Sequence, residues 1–164
     1  MAIKVSFEVN MSKALQKALR NSAKPIDTAT AKEVGQAVVS KMKSLIAVGS
    51  SPIDGKGKFP KYKDPKRYPG KRKAHSPVNL HLSGKFLEAL KSDVISGNYG
   101  YGASIFFEGD DQEIKEKGHR EGANGQPKRP TIPASKGQEF VASIEILYTN
   151  IFRNRILRVL NGED

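Results

Sequence analysis

Between residues 31 and 46, apolar side chains recur at intervals of three and four, at Ala31, Val34, Val38, Met42, Leu45 and Ile46. That spacing puts them along one side of an α-helix and predicts a long helix facing a core. Asp27 or Thr30 is placed to open it, Thr30 and Glu33 have capping-box spacing, and Gly49 is a natural stop. Residues 138 to 160 repeat the pattern with Phe140, Ile144, Leu147, Tyr148, Ile151, Phe152, Ile156, Val159 and Leu160. They predict a second long amphipathic helix, entered from a short strand. Two such helices each present an apolar stripe, and something must cover both.

Strands supply the cover. Ile3, Val5, Phe7 and Val9 alternate with polar neighbours, which predicts a strand over 3–9 with one buried face. Asn10 or Ser12 is placed to cap a short helix reaching Arg20, with Met11, Leu15, Ala18 and Leu19 on its apolar side and Pro25 beyond it. Order resumes at residues 78–82, and Ser83 is expected to cap a short helix holding Phe86, Leu87 and Leu90. Residues 93–96 and 99–107 read as two strands of a hairpin turning at Gly97-Asn98. Residues 110–117 suit one or two helical turns, and 118–133 are turn-rich. The expected fold is a single α+β domain over 1–164: a small, mainly antiparallel sheet packed by two long helices, with a long basic loop. At 164 residues, such a domain buries roughly two-thirds of its unfolded surface without needing staples.

The loop is where the charge lies. The formal net charge is +11, and most of that excess falls between residues 56 and 73. Lys56, Lys58, Lys61, Lys63, Lys66, Arg67, Lys71, Arg72 and Lys73 are opposed there by Asp64 alone. Residues 50–77 show no apolar period, and proline and glycine alternate through them, so the loop is either functional or unstructured until bound. Phe59, Tyr62 and Tyr68 are interleaved with the cations and give it anchors. Three uses fit: binding nucleic acid by counterion release and base stacking, folding onto an acidic neighbour, or remaining a solvated surface. Charge does not choose among them.

Catalytic signals are sparse. With no cysteine there is no disulfide, thiolate metal site or cysteine nucleophile. The three histidines, His75, His81 and His119, lack the spacing of a zinc protease. His119-Arg120-Glu121 has the look of an acid–base cluster, but it sits among glycines with nothing local to fix it, and His119 reads as a surface or interface histidine. Gly55-Lys56-Gly57-Lys58 leads into Phe59-Pro60 rather than a helix, so it is not a Walker-type phosphate loop. The glycine-spaced run from Gly97 to Gly102 lies between strands and reads as a hairpin with close backbone approach. Glu108, Asp110, Asp111 and Glu113 form one acidic cluster, read as a solvated or subunit-facing patch able to meet the basic loop of a neighbouring copy. No cofactor, metal or enzymatic activity is expected. No apolar run approaches the ~18 residues of a membrane span, and the N-terminus lacks a signal-peptide pattern. A soluble chain made in the cytoplasm is expected, with no membrane partner.

Several short motifs occur in a telling order. Phe59-Pro60-Lys61-Tyr62 is followed by Val78-Asn79-Leu80, then Leu82-Ser83-Gly84-Lys85-Phe86-Leu87-Glu88-Ala89-Leu90, then Ile105-Phe106-Phe107. Last come His119-Arg120-Glu121-Gly122 and Pro127-Lys128-Arg129-Pro130-Thr131-Ile132-Pro133. Over residues 30 to 160 this resembles the bacteriophage tail-completion and virion-morphogenesis (head–tail joining) proteins. The chain departs from that pattern at Thr131, where phenylalanine is usual, at Ser83, where threonine is common, and in a longer acidic stretch over 108–118. The resemblance implies a structural virion protein of the tail or neck that joins a ring of its own copies and touches neighbouring tail, connector or neck proteins. It would be assembled in the host cytoplasm, with non-specific DNA contact as a lesser possibility. The basic loop, His119 and Arg129 are then expected to reach those neighbours. Arg129, between Pro127 and Pro130, either sits on a stiff extended segment that holds its guanidinium toward a carboxylate or is solvated where the prolines terminate a strand. The rival reading is a basic nucleic-acid-binding protein using residues 56–73.

Overall fold

A computed structural model describes residues 4–8, 12, 13, 15, 25–61, 78, 80, 84–122, 125–134 and 137–163. Their architecture is α+β. A three-stranded antiparallel sheet runs in the order β1-β3-β2, with β1 at Val5–Phe7, β2 at Leu90–Gly97 and β3 at Gly100–Phe107. The central strand, β3, pairs Val5 with Ile105 on one side and Leu90 with Phe107 on the other. β2 and β3 form the expected hairpin, and the register places its turn at Asn98-Tyr99, between the pair Gly97 and Gly100.

The long helix α1, Thr28–Ala47, lies across β2 and β3. Asp27 is its cap, and its Oδ1 accepts from the Thr30 N–H at 2.7 Å. Thr30 therefore lies inside the first turn, and the Thr30–Glu33 capping box is not used. The expected stripe is the buried one: Ala31, Val34, Val38, Met42 and Ile46 have no exposed surface. Gly35 lets the helix approach the sheet, since a Cβ there would lie 2.7 Å from Ser92 Cβ. The second long helix, here α4, is Ala142–Asn161. It packs on α1, burying Ile144, Phe152, Ile156 and Val159. Its Arg155 forms an ion pair with the cap Asp27 at 3.2 Å. The strand-like entry to α4 is an isolated bridge between Phe140 and Ile53, and Phe140 stacks on Phe7 with centroids 5.4 Å apart.

Two expectations about local structure are corrected. Leu90 does not extend the short helix α2, Lys85–Glu88; it begins β2 and is fully buried. Its partner Phe107 explains why, because strand pairing there continues the hairpin and outweighs one more helical turn. The helix α3, Asp110–Glu121, runs through Gly118 instead of ending at Lys117, and stops at Gly122 in the left-handed conformation (φ 76°). Gly100 accounts for the glycine spacing in the hairpin. Its φ is 121°, and a side chain there would collide with the Ile26 carbonyl, which accepts from the Tyr101 N–H at 3.0 Å. Among the described residues no helix is long and apolar enough to cross a membrane.

Candidate assembly surface

The start of the basic loop is built into the domain. Ser50 bridges to Lys58, and Ile53 to Phe140. The Phe59 N–H donates to the Gly49 carbonyl at 2.7 Å. Ile53 and Phe59 are both buried, so two apolar residues pin a stretch that has no apolar period. Phe59 is thus an internal anchor rather than a contact offered to a partner. Lys56, Lys58 and Lys61 remain exposed on the outer side. Tyr62, Lys63, Lys66, Arg67, Lys71, Arg72 and Lys73, together with Ser83, lie outside the described residues.

Arg129 locks this stretch to the segment before α4. Its side chain is 1% exposed. Nε donates to the Pro60 carbonyl at 3.0 Å, Nη2 to the Lys61 carbonyl at 3.0 Å and Nη1 to the Pro127 carbonyl at 3.5 Å. Its own N–H donates to the His119 carbonyl at 2.6 Å. The expectation that Arg129 reaches outward is corrected: the fork of guanidinium donors is spent on loop carbonyls inside the chain. In Pro127-Lys128-Arg129-Pro130, Lys128 is the exposed cation and Arg129 the buried one.

Around the clamp lies a cleft of about 370 Å³. Lys56, Lys58, Arg120 and Lys128 supply its positive charge, Glu121 its one carboxylate, and Phe59, Pro60, Pro130 and Ala134 its apolar walls. Arg120 donates to Glu121 Oε1 at 3.2 Å and to Glu116 Oε2 at 3.3 Å. Among the described residues, no ion pair is formed by Lys56, Lys58 or Lys128. The cleft is therefore strongly cationic.

His119 is held in place by α3, contrary to its expected setting in an unconstrained glycine-rich turn. Its ring lies 5.1 Å from that of Phe86, at 60°. Burial pushes its pKa down to about 4, and the positive charges of Arg129 and Lys115 push in the same direction. The imidazole is neutral at pH 7 and packs as a part-buried aromatic, which suits neither a cationic contact nor a general base working near neutrality.

The other end of α3 is acidic. Asp110, Asp111 and Glu113 occupy its first turn, where carboxylates favour the helix dipole. They adjoin a notch of about 260 Å³ lined by Phe107, Asp110, Glu113, Ile114, Glu116, Lys117 and Arg120. Glu116 is 4% exposed. Its pKa is raised by burial, against the lowering effect of Arg120, and its Oε1 has no hydrogen-bond partner. Among the described residues, no group of three or more His, Asp or Glu side chains is placed to hold a metal ion.

The fold thus brings Lys56, Lys58, Lys61 and the Arg129 clamp together with Lys128 and Arg120, and sets an acidic notch on the other side of Arg120. Comparison with protein-family models, curated proteins and solved structures found no match to this chain.

Proposed function

We propose that this chain is a structural component of a phage particle, a tail-completion or head–tail joining protein that assembles with copies of itself into a ring and acts by binding alone. One observation carries the reading. Two of the separated motifs behind the resemblance, Phe59-Pro60-Lys61 and the 127–133 segment, meet at Arg129, whose guanidinium holds the Pro60 and Lys61 carbonyls. A buried arginine that rigidifies a loop root beside an exposed cationic cleft is a device for presenting charge in fixed geometry to a partner. The test is to label the protein on purified virions and image the label. Label at one fixed place, the neck or the tail end, is the expected result. Absence from virions, with recovery on nucleic acid in the lysate, overturns it.

The exposed Lys56, Lys58 and Lys61 favour one other reading, nucleic-acid binding through residues 56–73. A steep fall of DNA affinity with salt follows from either reading. A preference for a particular sequence or secondary structure in the bound nucleic acid belongs to the second alone.

A further inference from the structure

We infer that the acidic notch of one copy receives lysines from the cationic cleft of a second copy, so that α3 carries both halves of one interface between subunits. This rests on the reading that copies of the chain associate, and it names the surfaces through which they do so.

Glu116 Oε1 is buried and has no donor, while Asp110 and Glu113 line the same space. Asp110 is exposed, and a charged donor from a partner can reach it. The carboxylates of Asp110 and Glu113 suit a cationic side chain of a partner. An ammonium on a flexible stem, carrying three donors, can meet carboxylates approaching from different directions. The notch already contains Lys117 and Arg120. Arg120 is engaged with Glu116 Oε2 and Glu121, and Lys117 forms no ion pair among the described residues.

The cleft is the complement. Lys56, Lys58 and Lys128 have no ion-pair partner among the described residues, and they stand by the C-terminal end of α3. A helix of 12 residues separates the two ends by roughly 17 Å at the standard rise per residue. The first-turn carboxylates of the same chain therefore do not neutralise the cleft, and a second copy can.

Apolar surface matches as well. Ile114 is 69% exposed beside the notch, one turn along from Asp110 and Asp111. The cleft offers exposed Pro60 and part-exposed Ala134 to an aliphatic side chain. An apolar contact ringed by opposite charges is the usual anatomy of a protein interface. A nucleic acid would satisfy the cleft and leave the notch empty, whereas a second copy satisfies both.

Charge reversal tests this on the full chain. Asp110→Lys with Asp111→Lys alters one half, and Lys58→Glu with Lys128→Glu alters the other. All four residues are exposed, and circular dichroism checks that each variant keeps the fold. In sedimentation velocity at low salt, the wild type is expected to associate with rising concentration, and each double variant roughly tenfold or more weakly, as for paired charges across an interface. Mixing the two variants is expected to restore association. A wild type that stays monomeric, reversal without effect, or a mixture that fails to restore association overturns the inference.

Cysteine provides a second readout, because the natural chain has none. Ile114→Cys in one preparation and Pro60→Cys in another are expected to cross-link through a short bis-maleimide when mixed, and not separately. Failure to cross-link on mixing overturns the contact. With both substitutions in one chain, a ladder of covalent oligomers supports the contact and the ring alike. A ladder that stops at dimers supports the contact and sinks the ring. Virions that carry label at one place while both charge-reversed proteins incorporate normally sink the contact and leave the ring standing.

Discussion

Arg129 Nε donates to the carbonyl oxygen of Pro60 at 3.0 Å, across 69 positions of chain. With the parallel bond from Nη2 to Lys61 at 3.0 Å, one side chain ties the beginning of the basic loop to the segment that leads into α4. A flat fork with fixed donor spacing holds two successive carbonyls in one rigid geometry, which the flexible, tetrahedral donors of an ammonium do not reproduce.

Arg129→Lys is therefore expected to destabilise the fold by about 2–4 kcal/mol, since it leaves buried carbonyls without their charged donor. Urea denaturation measures the loss, and limited proteolysis after residue 60 should quicken in step. An unchanged midpoint and an unchanged cleavage pattern would show that the loop root is held by Ile53 and Phe59 alone.

Acid should weaken the fold through His119. An unfolded imidazole titrates near 6.5, and the folded one at about 4, so between these values the unfolded chain binds more protons. Stability contributed by the neutral ring is full above pH 6.5 and falls as pH drops towards 4, by on the order of 3 kcal/mol in all. Glu116 works in the opposite sense. Its folded pKa is raised above 4.5, so its contribution is present below 4.5 and lost as pH rises through the folded value. His119→Leu should flatten the acid limb of a stability–pH profile measured by urea midpoints. If the limb keeps its slope, another group is responsible.

Phe86 stacks on Phe107 with centroids 4.5 Å apart and also covers His119. Phe86→Ala is expected to cost about 3–4 kcal/mol as a large-to-small change in a packed site. It should also raise the His119 pKa from about 4 towards 6.5 as solvent reaches the ring. Imidazole resonances followed by NMR against pH would show the shift. A His119 pKa still near 4 in this variant would assign the depression to Arg129 and Lys115 instead.

Gly35→Ala should destabilise by about 1–2 kcal/mol, because overpacking outweighs the better helix propensity of alanine. The added methyl would meet Ser92 Cβ at 2.7 Å and its Oγ at 2.8 Å, and a Cβ cannot rotate away. Thermal unfolding gives the sign directly, and a stabilised variant would mean that α1 can lift from β2 at little cost.

Much of this was legible in local pattern. The stripe from Ala31 to Ile46, the alternation through Val5 and Phe7, and the glycines of the hairpin each report a periodicity or backbone freedom held within a few residues. The sequence alone therefore determined the long helices, the antiparallel pairing of β2 with β3, and the concentration of charge after residue 55. Tertiary contacts decided the rest. Leu90 entered a strand because Phe107 lies opposite it, and α3 continued through Gly118 into His119, whose ring packs against Phe86. Arg129 turned inward because its acceptors are supplied by Pro60 and Lys61, far away in sequence. A charged side chain between prolines reads locally as exposed; only the fold brings up the carbonyls that stabilise it when buried.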